Sequence, residues 1–133
     1  MWKIEKGNIY VTRGDMLPLA VDAANTDKSL YSFKAGDVLR FKVMEKENMS
    51  NVLFEKDFQI ENDTTVVNID LLSEDTRIGE LINKPHECWY EIELNPDTSN
   101  TITIVGYSKE KGAALFVLLP EGGKKNDTNE ITN

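Results

Sequence analysis

His86 and Cys88 stand two residues apart in a stretch of alternating character, so on a strand their side chains share one face. An imidazole beside a thiol can lower the thiol pKa and create a nucleophile, which makes this the first pair to weigh for chemistry. The simpler reading makes Cys88 a small core residue in line with Tyr90 and Ile92, with His86 at the start of the strand. One histidine and one cysteine would leave two ligand positions of a structural zinc site to carboxylates, and no calcium-loop spacing of aspartates occurs.

The opposite face of the same stretch carries Glu87, Trp89, Glu91 and Glu93. Carboxylates next to an aromatic ring suit glycoside hydrolysis, or a sugar-binding platform on which the indole stacks. The ordinary alternative is a solvated acidic strand face, and an outward tryptophan in such a row is a typical anchor for protein–protein contact. These four residues are the predicted interface. Arg13-Gly14-Asp15 spells an integrin-recognition tripeptide, but Gly14 followed by Asp15 reads first as a turn. No glycine-rich phosphate loop is present. The sequence therefore predicts no catalytic residue, no cofactor and no metal site, and so a non-enzymatic chain.

The elements that must position these residues come from the rest of the chain. Its 133 residues amount to one domain, and a 40% hydrophobic content supports a core without staples. The 15 basic and 23 acidic residues give a net charge of −8, which opposes binding to nucleic-acid phosphates or to anionic membranes. The single cysteine excludes an intrachain disulfide and fits assembly in a reducing cytoplasm. The N-terminus shows no signal-peptide run, and no stretch approaches a membrane span.

Period-two alternation dominates. Leu39, Phe41 and Val43 oppose Arg40 and Lys42, while Val52, Phe54 and Phe58 oppose Glu55, Asp57 and Gln59. Glu45-Lys46-Glu47-Asn48 reads as the polar connection between those two strands. Further strands are predicted over 65–71, 86–94, 101–107 and 113–119, with two earlier ones near 9–12 and 16–21. Pro18 marks the second of these as an edge, because it donates no ladder hydrogen bond. Ser73-Glu74-Asp75 resembles a helix N-cap with acidic first-turn residues, and Ile78, Leu81 and Ile82 follow at helical spacing before Pro85. The expectation is an antiparallel β-sandwich of about seven to nine strands, with one short helix near residues 74–82. One domain should occupy residues 1–121, and the segment 122–133, with Ile131 as its lone apolar residue, should form a flexible tail.

The order of certain residues carries a resemblance. Ile9-Tyr10-Val11-Thr12-Arg13-Gly14-Asp15 precedes Leu17-Pro18-Leu19, Tyr31 and Phe33, and Gly36-Asp37-Val38-Leu39-Arg40-Phe41-Lys42-Val43. Then come Asp75-Thr76, Trp89-Tyr90-Glu91-Ile92-Glu93-Leu94, and Ala114 to Leu119 running into Pro120-Glu121-Gly122. Over roughly residues 8–121 this resembles the small Ig-like structural proteins of tailed phages and Firmicutes prophages, in the style of the N-terminal domain of lactococcal-type upper baseplate proteins. The resemblance implies an Ig-like sandwich that assembles in the bacterial cytoplasm into a virion, in its tail or baseplate region. Its partners would be other phage structural proteins and copies of itself, with no nucleic acid and no membrane. The alternative function is an Ig-like carbohydrate-binding or host-adhesion module, in which Trp89 and Tyr107 would form an exposed platform.

Overall fold

A computed structural model of the chain describes residues 1–107 and 112–121. The predicted tail, 122–133, lies outside the described residues. Among those described are nine strands: β1 (Trp2–Glu5), β2 (Asn8–Thr12), β3 (Leu17–Val21), β4 (Val38–Glu45), β5 (Val52–Gln59), β6 (Val67–Leu71), β7 (His86–Leu94), β8 (Ile102–Val105) and β9 (Ala114–Leu119). The chain is thus all-β, and none of its described residues forms a helix able to cross a membrane.

Seven strands make one sheet in the order β1-β2-β9-β7-β4-β5, with β8 also paired to β7, and β3 and β6 form a two-stranded sheet. The alternation read from the sequence decides which face is buried. Leu39, Phe41 and Val43 of β4 and Cys88, Tyr90, Ile92 and Leu94 of β7 point inward. They share one buried cluster with Leu17, Leu19 and Val21 of β3 and Val67, Ile69 and Leu71 of β6, so the two sheets enclose a common core. Phe41 stands at its centre, with ring centroids 5.6 Å from Tyr90 and 5.8 Å from Phe116. Pro18 is accommodated as expected, since β3 has β6 as its one strand partner.

Three expectations need correction. The large sheet is mixed rather than antiparallel, because β9 enters between β2 and β7 and runs parallel to β2, with Ile9 level with Phe116. Residue alternation specifies faces but carries no information on strand direction, so this pairing had no local signal. Val52 does not share a face with Phe54 and Phe58. A register shift between Val43 and Met44 sets Val52 opposite Met44 on the outer side, where it is exposed.

The third correction is the helix. Residues 74–82 form turns, although Asp75 and Arg77 do make short-range amide bonds to Leu72 and Glu74 carbonyls. A longer helix would need the Ile78 and Gly79 carbonyls for its own ladder. Instead the Arg13 guanidinium donates to both, at 3.2 Å and 2.6 Å, and Gly79 sits at a φ of +69°. Thr76, fully buried, accepts from the Gly14 amide (3.0 Å) and donates to the Asp15 carbonyl (2.7 Å). Tertiary bonds therefore outbid a weak local preference for helix. The same junction explains Arg13-Gly14-Asp15: Gly14 adopts a φ of +91°, and an added Cβ would meet Arg77 and Glu121 at 3.1 Å and 3.2 Å.

Candidate interaction surface around Trp89

β7 positions every residue singled out for function, because it is held on both sides. β4 flanks one edge from Cys88 to Leu94, while the other edge is shared by β9 along His86 to Tyr90 and by β8 along Ile92 to Leu94. Strand alternation then fixes Cys88, Tyr90, Ile92 and Leu94 inside and Glu87, Trp89, Glu91 and Glu93 outside, as the sequence predicts.

The inner pair does not build a nucleophile. His86 Nε2 lies 3.8 Å from Cys88 Sγ, and the same nitrogen lies 3.8 Å from Glu45 Oε1. Burial, together with the negative charges of Glu45 and Glu47, pushes the Cys88 thiol up to about 11. A reactive cysteine needs the opposite environment. Tyr90 is likewise pushed up by burial, to about 12, and its hydroxyl donates to the Gly7 carbonyl at 2.6 Å. Among the described residues no group of three or more His, Cys, Asp or Glu side chains is placed to hold a metal ion.

The outer glutamates are brought together, but each has a cation from its own chain. Lys46 Nζ contacts Glu87 at 2.6 Å, and Lys42 Nζ lies 3.7 Å from Glu91 and 3.5 Å from Glu93. One strand further, Arg40 takes Asp57 through both carboxylate oxygens (2.8 Å and 3.1 Å) and Asp97 at 3.0 Å, which holds the Asp57 carboxyl below its usual range. The β5–β4–β7 half of this face is thus an ion-pair lattice in which Arg40, Lys42 and Lys46 meet Glu55, Asp57, Asp97, Glu87, Glu91 and Glu93, so it keeps an acidic excess.

Trp89 borders that lattice. Its cross-strand neighbours are Met44 on β4 and Leu115 on β9. Met44 is 2% exposed and Val117 4%, yet neither belongs to the core between the sheets. Both lie on the outer face, Met44 level with Trp89 and Val117 level with Glu87 and Tyr10. The indole N–H donates to the Lys46 carbonyl at 3.2 Å, and Lys46 Nζ sits 5.4 Å from the ring centroid, within cation–π range. The tryptophan is therefore half-buried and oriented, with part of its ring left to solvent.

A second aromatic joins it. Along β7 the partner changes from Val105, opposite Ile92, to Ala114, opposite Tyr90. Gly106 follows the end of β8, and there a Cβ would come 2.6 Å from Thr103 Cγ2. Tyr107 follows, 75% exposed. It lines, with Trp89, Met49, Leu115 and the Lys6–Asn8 turn, an open cleft of about 490 Å³. The sequence placed Tyr107 within a strand; its release from the ladder is what brings it beside Trp89.

No protein-family model matches the chain, and neither does any curated protein.

Proposed function

We propose that this chain is a non-enzymatic structural module of a bacteriophage or prophage particle, in its tail or baseplate region, built on an Ig-like β-sandwich and acting through protein–protein contact at the Trp89 surface. The observation that carries the contact reading is the cleft formed by Trp89, Tyr107, Met49 and Leu115 beside a polar face of ion-paired carboxylates. An aromatic cleft with a paired polar border has the make-up of an interface centre and its rim. Glu87, Glu91 and Glu93, with Lys42 and Lys46 beside them, form that rim, which keeps a negative excess suited to a partner with basic groups. The phage assignment rests on the residue order described above, and with it come assembly in the bacterial cytoplasm and partners among other virion proteins. Co-purification of the tagged chain with products of its neighbouring genes tests this reading. Capture of tail or baseplate proteins that is lost on Tyr107→Ala supports it, and neighbours unrelated to phage assembly would sink it.

A second reading has one observation in its favour. Carbohydrate modules stack sugar rings on exposed aromatics, and Trp89 and Tyr107 share one cleft. Calorimetric titration with cell-wall polysaccharide separates the two readings, since saturable heat abolished by Tyr107→Ala belongs to sugar binding alone.

A further inference from the structure

Among the described residues β1 pairs with β2 alone, which leaves the large sheet an open edge. It pairs with β2 through a two-residue turn, Lys6-Gly7, whose φ values of +53° and +83° suit a tight hairpin. The Thr12 amide donates to the Met1 carbonyl at 2.9 Å. Antiparallel ladders alternate, so Lys3 and Glu5 also direct their backbone groups toward β2, and Trp2 and Ile4 direct theirs away from it. Beneath this edge the core is incomplete. Trp2 and Ile4 lie on the same side as Val11 and Ile9, which are buried, yet they are 43% and 49% exposed. Trp2 also lines an apolar notch of about 660 Å³ with Met16, Pro18 and Leu72.

We propose that this edge joins two copies of the chain, β1 against β1 of the second copy, antiparallel about a two-fold axis centred on Ile4. The seven-stranded sheet then continues across the pair, independently of any role of Trp89. Strand pairing must keep inner residues opposite inner residues, which allows registers centred on Ile4 or on Lys3. Centring on Lys3 sets Lys3 against Lys3 of the second copy, a repulsive pair. Centring on Ile4 sets Lys3 opposite Glu5 of the second copy, and Glu5 opposite its Lys3, on the outer face. The Ile4 residues then meet on the inner face and exchange the amide and carbonyl groups that β2 leaves unpaired. Trp2 of each copy covers this contact from one side, beside its own Met16 and Leu72. Lys3 thus selects the register, and an isologous pair occupies both β1 edges, so the contact closes at two copies. The opposite edge of the sheet is guarded differently. β5 turns Lys56 inward to Asp75 (2.7 Å), and it meets β4 through a register shift.

Sedimentation equilibrium of the full chain over a wide concentration range tests the proposal, with circular dichroism to confirm the fold of each variant. The unmodified chain should show reversible dimerisation. Lys3→Glu or Glu5→Lys should each weaken it by about tenfold or more, because two attractive cross-strand pairs become repulsive. The combined Lys3→Glu, Glu5→Lys exchange should restore it. A monomer at every concentration overturns the proposal. So do single charge reversals that leave the dimer unchanged, or an exchange that fails to restore it while the fold is intact. Dissociation by Tyr107→Ala with Lys3→Glu silent would move the self-contact to the Trp89 cleft and also overturn it.

Discussion

Arg13 and Glu121 are separated by 108 residues in sequence and meet in a buried ion pair, Arg13 Nη1 to Glu121 Oε1 at 2.9 Å. The guanidinium also donates through Nε and Nη2 to the Ile78 and Gly79 carbonyls, so one side chain ties the end of β2, the 73–79 turns and the residues after β9 together. Breaking such a pair strands a charge away from water. Glu121→Ala should therefore lower stability by about 3 kcal/mol in denaturant unfolding. Replacing both partners by apolar residues of similar size should cost less than that single change, since no charge is then left buried.

Residues 122–133 hold one apolar side chain, Ile131, against an ordering cost of about 1–2 kcal/mol per residue. Ending the chain after Glu121 should leave the thermal midpoint within about 2 °C of the full-length value. Ending it after Pro120 removes Glu121 and should reproduce the loss seen for Glu121→Ala. A large drop for the chain ending after Glu121 would show that residues 122–133 pack against the domain.

The strands whose alternation is strong were legible in the sequence, and with them the inside–outside assignment that turns Trp89 away from the core. Trp2-Lys3-Ile4-Glu5 alternates as well, and Lys6-Gly7 supplies a turn, but four residues beside the start of the chain gave too short a signal to be read as β1. Direction and partner choice were not legible, because β9 obeys the same period whether it runs parallel or antiparallel to β2. The false helix over 74–82 has a related origin: cap and spacing are local, while Arg13 acts from 65 residues away. At the surface, the glutamate row was correctly placed, but its pairing with Lys42 and Lys46 depends on cross-strand register and hairpin geometry. Tyr107 was read as part of a strand over 101–107, whereas β8 ends at Val105 and Tyr107 lines the cleft with Met49.

Cys88 and Tyr90 give the fold an alkaline weakness. Both groups are neutral when protonated, and burial raises their folded pKa values, from 9.0 to about 11 and from 10.0 to about 12. Their contribution to stability is full below the unfolded values and is lost as pH rises through the folded ones. Stability should thus begin to fall near pH 9 and decline further toward pH 12, with Cys88→Ala showing a shallower decline in its first part. Denaturant midpoints measured across that range test the sign. The same raised thiol should make the native protein slow toward a thiol reagent at neutral pH and fast once unfolded. Rapid labelling of native protein that is blocked by His86→Ala would revive the nucleophile reading.

Trp89 and Tyr107 line one cleft but differ in what the fold asks of them, and that difference separates a structural from a binding role. Trp89 packs beside the buried Met44 and donates to the Lys46 carbonyl, so Trp89→Ala uncovers apolar surface and loses a hydrogen bond. A stability loss of about 1–3 kcal/mol should follow, without global unfolding. Tyr107 is mostly solvent-exposed, and Tyr107→Ala should change stability by less than about 0.5 kcal/mol. If the cleft is the centre of an interface, both substitutions should weaken association with a particle partner, by on the order of 2 kcal/mol for a hot spot. Paired measurements on each variant, denaturant unfolding for stability and light scattering or pull-down for association, place the two residues on separate axes. Loss of association with Tyr107→Ala at unchanged stability is the outcome that only a binding surface produces. If Tyr107→Ala binds normally and Trp89→Ala fails only in proportion to its lost stability, the cleft is not the contact site, and Trp89 serves as a lid over Met44.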